Sequence, residues 1–144
     1  YHSSVSLARC YWVQGKIDEA LVIAKDLYED TDSGFTGDAC RQYAWILRSE
    51  GHEDEALQLL DRFLKNSTVH GPQRATVLVE RARALASLQQ LDAATRDIDE
   101  FFERVAVDEK MKGGPYYRGA CLLRGVLAVA RGDRDVADAY WRGA

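Results

Sequence analysis

A short turn motif that returns four times constrains the fold of this chain more than any other feature of its sequence. The motif reads GKIDEA from Gly15, GHEDEA from Gly51, QQLDAA from Gln89 and GDRDVA from Gly132, at offsets of 36, 38 and 43 residues. Alanine follows each turn at the same distance, as Ala20, Ala56, Ala94 and Ala137. Self-similarity at such a period is typical of proteins built from stacked structural repeats.

The residues around each turn follow a helical pattern. A small residue precedes every turn by seven positions, as Ala8, Ala44, Ala82 and Gly125, and Ala24, Leu60, Ile98 and Trp141 follow by nine. Small residues suit the points where two helices cross closely, and larger apolar residues fill the gaps between helix pairs. The chain is therefore predicted to be all-α, with eight helices near 2–14, 17–29, 37–49, 53–65, 74–88, 91–105, 116–130 and 133–143.

These residues resemble the tetratricopeptide repeat (TPR). Ala8–Asp30 and Ala44–Leu64 are closest to that family's unit, and the third turn departs from it with Gln89 in place of glycine. The resemblance implies a right-handed solenoid of antiparallel helix pairs in one domain spanning 1–144. Its four repeats would cover about 1–33, 37–69, 74–107 and 116–144.

Charge and hydropathy exclude several classes of partner. The net charge of −4 disfavours nucleic acid, because phosphate-binding domains are usually basic. No apolar run reaches the length of a membrane span. The sequence begins at Tyr1 without methionine, so we expect it to be part of a longer chain.

The three cysteines, Cys10, Cys40 and Cys121, are scattered and form no CxxC pair. This pattern indicates reduced, buried thiols in an intracellular, cytoplasmic protein rather than a zinc site. All three are expected to lie between helices and to react slowly.

No constellation of residues supports catalysis or a cofactor. His2, His52 and His70 fall at unrelated places, and Asp18, Glu19, Asp54 and Glu55 occupy first turns of helices, where carboxylates offset the helix dipole. The chain is therefore predicted not to be an enzyme and to carry no metal or cofactor.

The resemblance also implies a binding stripe on the first helix of each pair. The stripe maps to Val5, Arg9 and Trp12; Arg41, Trp45 and Arg48; Val79, Arg83 and Ala86; and Leu122, Val126 and Val129. Its arginines and tryptophans, Arg9, Trp12, Arg41, Trp45, Arg48 and Arg83, are the predicted partner-binding residues, since both residue types are enriched in binding hot spots. The alternative is that the arginines pair with neighbouring acids while the tryptophans pack between repeats.

The predicted function is a protein-interaction scaffold that binds a protein or peptide in its concave groove. An acidic segment with an aromatic or apolar anchor would suit the stripe, while a helix end carrying Val136, Ala139 and Tyr140 predicts self-association or continuation of the chain there. Two alternatives stay open: a ligand- or peptide-sensing regulatory domain of a larger signalling protein, and RNA binding by similar helix pairs.

Overall fold

The computed structural model describes residues 2–29, 36–65 and 71–144. The chain divides into two compact units, Tyr1–Val69 (unit 1) and His70–Ala144 (unit 2). Across those described ranges the secondary structure consists of eight α-helices and one short 3₁₀ helix, without a strand. The prediction of an all-α chain is confirmed.

Unit 1 contains two helix pairs whose neighbours pack in chain order. Its helices are α1 (His2–Val13), α2 (Ile17–Glu29), α3 (Thr36–Ser49) and α4 (Glu53–Leu64). Fully buried Ala8, Ala20 and Ala24 form a core with Ile46 of α3. The alanines that recur at aligned positions around the turns therefore lie where the helices cross.

Unit 2 also contains two helix pairs, and its first three helices are longer than those of unit 1. The four helices are α5 (Gly71–Ser87), α6 (Leu91–Val107), α7 (Pro115–Ala130) and α8 (Arg134–Gly143), with the 3₁₀ helix Glu109–Met111 after α6. α5 begins three residues earlier than predicted, because Pro72 is tolerated in the first turn of a helix. Ala82, Ala94 and Ala137 are fully buried, in agreement with the repeat pattern.

All four turns close in the same way. A residue with positive φ ends the first helix of each pair, namely Gly15 (80°), Gly51 (84°), Gln89 (62°) and Gly132 (79°). The next amide donates to a carbonyl five residues back, as Lys16 does to Tyr11 (2.9 Å) and Gln90 to Leu85 (2.9 Å). This is the Schellman arrangement, in which glycine is favoured because it has no Cβ.

Gln89 is the one non-glycine residue with positive φ in the described chain, and glycine should relieve its strain. A side chain in this region costs roughly 1–2 kcal/mol, partly offset by the greater flexibility of unfolded glycine. We expect Gln89→Gly to raise the free energy of unfolding by about 1 kcal/mol in urea denaturation. Gln90→Gly is the matched control. Gln90 has a φ of −89°, so its replacement by glycine relieves no strain and should not raise the free energy of unfolding. Equal effects of the two changes would contradict the strain argument.

The cysteines differ from the prediction at one position. Cys40 and Cys121 are buried, as expected, but Cys10 is exposed, so the prediction of a buried Cys10 is wrong. In the next repeat the equivalent residue is Ile46, which is buried against the preceding helix pair. Burial at this position therefore depends on contact with a neighbouring helix pair and not on the spacing within the helix.

Thiol labelling should separate the three cysteines. Burial raises the pKa of the Cys121 thiol, so less thiolate is present at a given pH. We expect Cys10 to react with iodoacetamide at least ~10-fold faster than Cys40 and Cys121 in the folded protein. Mass spectrometry of labelled peptides measures this, with labelling in denaturant as the control. Equal rates in the folded protein would contradict the observed burial.

Candidate partner-binding surface

The two predicted tryptophans of unit 1 contact each other. Trp12 of α1 and Trp45 of α3 have ring centroids 4.6 Å apart and planes inclined at 59°. The Trp12 indole N–H donates to Glu50 Oε1 at 3.0 Å. Both rings are half-buried and pack against the core of unit 1. The tryptophans therefore contribute to packing and also present part of their surface to solvent.

Three predicted arginines lie one helical turn from these tryptophans. Arg9 precedes Trp12 by three residues, and Arg41 and Arg48 flank Trp45 by four and three residues. Residues at this spacing share a helix face. Arg9 is exposed, whereas Arg41 and Arg48 are half-buried and interact with other residues of the chain. We call Arg9, Trp12, Arg41, Trp45 and Arg48 together the tryptophan surface.

Arg83, the sixth predicted residue, belongs to unit 2 and has a partner within its own helix. Its Nη1 lies 3.5 Å from Oε2 of Glu80, whose side chain is 2% exposed. The alternative weighed for the arginines, pairing with a neighbouring acid, thus describes Arg83. Val79, mapped to the same stripe, is fully buried.

Two carboxylates contact the predicted residues, Glu80 beside Arg83 and Glu50 beside Trp12. Glu80 lies three residues before Arg83, a spacing from which the pair could have been read. Glu50 has no such signal, because its contact with Trp12 joins residues 38 positions apart. Such a contact depends on how α1 and α3 pack.

The predicted contact face of α8 is largely used inside unit 2. The Tyr140 ring lies 5.1 Å from the Phe102 ring, and the Arg124 guanidinium is 5.2 Å from its centroid. Val136 is half-buried, and Ala139 is exposed. Self-association or continuation through α8 stays a prediction.

The described residues offer neither a metal site nor a membrane span. Within them no group of three or more His, Cys, Asp or Glu residues is arranged to hold a metal ion. In the same ranges no helix has the length and apolar character to cross a membrane.

Comparison with known proteins establishes the fold. No protein-family model and no curated protein matches the chain. Among solved structures, a candidate kinesin light chain of Podosopora anserina with nearly identical TPR-like repeats matches with a TM-score of 0.79 and 19% identity, over 96% of this chain and 70% of that one.

Two bacterial structures match in the same way. A tetratricopeptide repeat protein of Parabacteroides merdae gives a TM-score of 0.69 at 17% identity, over 99% of this chain and 51% of that one. PilF of Pseudomonas aeruginosa gives a TM-score of 0.67 at 19% identity, over 95% of this chain and 56% of that one. The chain therefore has the tetratricopeptide-repeat fold, and the fold predicted from its turn motif is confirmed.

Proposed function

We propose that this chain is a non-catalytic protein-interaction scaffold whose tryptophan surface binds an acidic segment carrying an aromatic or apolar anchor. The observation that carries the proposal is the half-exposed Trp12–Trp45 pair, held 4.6 Å apart by the first helices of two successive repeats. Tryptophan offers a large, rigid contact area at little cost in side-chain entropy. A cytoplasmic location would suit the three free thiols.

The charges around the pair favour a carboxylate ligand. Arg9 is exposed beside Trp12, so its guanidinium can reach a ligand on this surface. Glu50 accepts a hydrogen bond from the Trp12 indole at 3.0 Å, and this contact supports the proposal that a carboxylate can bind at the edge of the pair. A ligand carboxylate would bind beside Arg9 or exchange with Glu50, and either contact would be charge-assisted.

Tryptophan fluorescence can test this proposal directly. In a Trp141→Phe background the emission comes from Trp12 and Trp45 alone. The probe is a synthetic peptide with one phenylalanine between runs of aspartate and glutamate, and its control carries lysine in place of the acids. We expect saturable quenching by the acidic peptide only. Arg41→Ala with Arg48→Ala should weaken binding by about 1–3 kcal/mol, and less at high salt, while far-UV circular dichroism stays unchanged.

A matched arginine pair provides the control for nonspecific charge. Arg96 and Arg142 are exposed on α6 and α8 of unit 2, so Arg96→Ala with Arg142→Ala removes the same charge elsewhere. If this pair weakens peptide binding as much as Arg41→Ala with Arg48→Ala, the tryptophan surface is not the binding site. Binding of both peptides with equal affinity would exclude the proposed acidic preference.

A further inference from the structure

A cavity of about 540 Å³ opens on unit 2 where the third repeat departs from the other three. Its wall is formed by Gly71 of α5, by one face of the end of α6, and by Asp108 and Met111 beyond that helix. Pockets of roughly 300–1,000 Å³ are the usual size of ligand sites. Because α6 is the second helix of its pair, this cavity is separate from the stripe predicted on the first helices. We call it the α6 cavity.

The cavity exists because α6 is long and an insertion follows it. α6 ends 18 residues after the turn residue Gln89, whereas α2 and α4 end 14 and 13 residues after Gly15 and Gly51. The 43-residue offset before the fourth turn also makes room for the 3₁₀ helix Glu109–Met111. The other helix pairs close without either addition, so the repeat fold does not require them. Additions of this kind to a rigid scaffold are a common place for binding sites.

One side of the cavity is apolar. Val107 of α6 is 88% exposed, the largest exposed fraction among the large hydrophobic side chains of the described chain. Met111, which is half-buried, lies on the wall with it. Methionine is flexible and adapts its shape to a bound group. Together these two side chains offer a surface for an aliphatic chain.

Negative charge outweighs positive charge on the cavity wall. Glu100 is already approached by two arginines, since its Oε1 lies 3.7 Å from Arg74 Nη2 and 3.5 Å from Arg104 Nη2. With Arg74 counted, three carboxylates stand against two guanidinium groups, so Glu103 and Asp108 set the sign. The end of α6 adds the partial negative charge of a helix C-terminus. The wall therefore favours a cation.

The segment after α6 fixes one of these carboxylates. Asp108 Oδ1 accepts a hydrogen bond from the Lys110 amide at 3.1 Å, at the start of the 3₁₀ helix. Lys112 pairs with Glu109 at 2.8 Å, and neither Lys110 nor Lys112 is among the residues that line the cavity. The two lysines of this segment therefore do not supply the cation that the wall favours.

We propose that the α6 cavity binds a lysine or arginine side chain of a partner protein. The methylene stem would lie on Val107 and Met111 and the charged end beside Glu103 and Asp108. Lysine and arginine bury their stems along apolar surface in this way while the charged end stays in a polar environment. The volume leaves room for a neighbouring residue of the partner, which favours a peptide segment over a free amine.

The proposal rests on the scaffold function and adds a second site with the opposite charge preference. All residues of the α6 cavity belong to unit 2, and none of them is a tryptophan. Failure of the acidic peptide to quench Trp12 and Trp45 would therefore leave the α6 cavity untested by that result and its own experiment still decisive.

Met111 allows binding to be located, because it is the one methionine of the sequence. Labelling the methionine methyl group with ¹³C gives a single Met111 signal in nuclear magnetic resonance spectra, and Met111→Leu assigns it. The probe is a synthetic peptide of alternating leucine and lysine, and its control has glutamate in place of lysine. We expect the basic peptide alone to shift the Met111 signal, and the shift to saturate.

A double variant of the cavity acids tests the charge preference. Glu103→Gln with Asp108→Asn should weaken the basic peptide at least ~10-fold. Asparagine keeps an oxygen that can accept from the Lys110 amide, so far-UV circular dichroism should be unchanged. The matched control is Glu19→Gln with Asp26→Asn, which removes the same charge from exposed positions on α2 and should leave affinity unchanged.

A single variant tests the apolar side of the cavity. Val107→Gln should weaken the basic peptide, whereas Val22→Gln, at a valine 60% exposed on α2, should not. Three results would overturn the proposal: a basic peptide that fails to shift the Met111 signal, equal weakening by the two double variants, or binding of spermidine at least as tight as that of the peptide. The last result would identify a free amine, and not a partner protein, as the ligand.

Discussion

Replacing Asp97 by alanine should destabilise unit 2 by about 3–5 kcal/mol. Asp97 of α6 accepts two hydrogen bonds from Arg81 of α5, from Nε to Oδ2 at 2.8 Å and from Nη2 to Oδ1 at 2.7 Å. The Asp97 side chain is 8% exposed and the Arg81 side chain is 23% exposed. Alanine would leave Arg81 largely buried without this carboxylate, which costs more than the attraction of the pair contributes. Urea denaturation followed by far-UV circular dichroism measures the change.

The other repeats supply a matched rescue for this variant. Arg81 and Asp97 lie eight residues before and after their turn. At these positions the first repeat has Leu7 and Ile23, the second Tyr43 and Leu59, and the fourth Arg124 and Tyr140. Arg124 and Tyr140 form a cation–π contact at 5.2 Å, so these two repeat positions accept several kinds of side-chain pair. We expect Arg81→Tyr with Asp97→Leu, the pair of the second repeat, to recover most of the stability lost in Asp97→Ala.

Two outcomes would contradict the argument about the Arg81–Asp97 pair. A loss below ~1 kcal/mol in Asp97→Ala would show that solvent or another group compensates Arg81 readily. If Arg81→Tyr with Asp97→Leu is no more stable than Asp97→Ala, these two positions of the third repeat require the ion pair itself. Arg134→Ala, which removes an exposed arginine 3.4 Å from Asp138, is the control for a surface pair and should cost less than ~1 kcal/mol.

The helices and turns of this chain could be predicted because their causes are local. The 3.6-residue period fixes which residues share a face, and a glycine with positive φ closes three of the four turns. Gln89 holds the fourth turn in the same conformation, so the aligned alanines identified it where the glycine was missing. Cys10 was misplaced because its burial depends on a neighbouring helix pair, which spacing within one helix does not report.

The candidate site was only partly predictable, for a related reason. Helical spacing places Arg41 and Arg48 on the face of Trp45, but it gives no distance between α1 and α3. The Trp12–Trp45 contact and the bond from Trp12 to Glu50 both depend on that distance. Arg83 pairs with Glu80, whose side chain is buried, and burial of a glutamate is the opposite of what its residue type predicts.

Gly125 and Trp141 show how a change at one aligned position of the repeat requires a change at another. A Cβ added to Gly125 of α7 would lie 2.0 Å from the Trp141 Nε1 and 2.5 Å from two further ring atoms. The indole is held in place, since Nε1 donates to the Leu122 carbonyl at 3.3 Å. The other repeats combine alanine at the first position with Ala24, Leu60 or Ile98 at the second. Glycine is therefore needed in the fourth repeat because tryptophan occupies the facing position.

Gly125→Ala should accordingly destabilise unit 2 by about 3 kcal/mol, the upper end of the usual cost of overpacking. The sign of the change in the free energy of unfolding is informative, because alanine in place of glycine inside an unhindered helix stabilises a protein by ~0.5–1 kcal/mol. Gly119→Ala in the same helix is the control: its Cβ would meet only the end of the flexible Arg83 side chain, so the change should be tolerated. Gly125→Ala with Trp141→Leu, the combination of the second repeat, should restore stability in urea denaturation. If Gly125→Ala instead stabilises the protein, Trp141 does not pack against α7 as the structure shows.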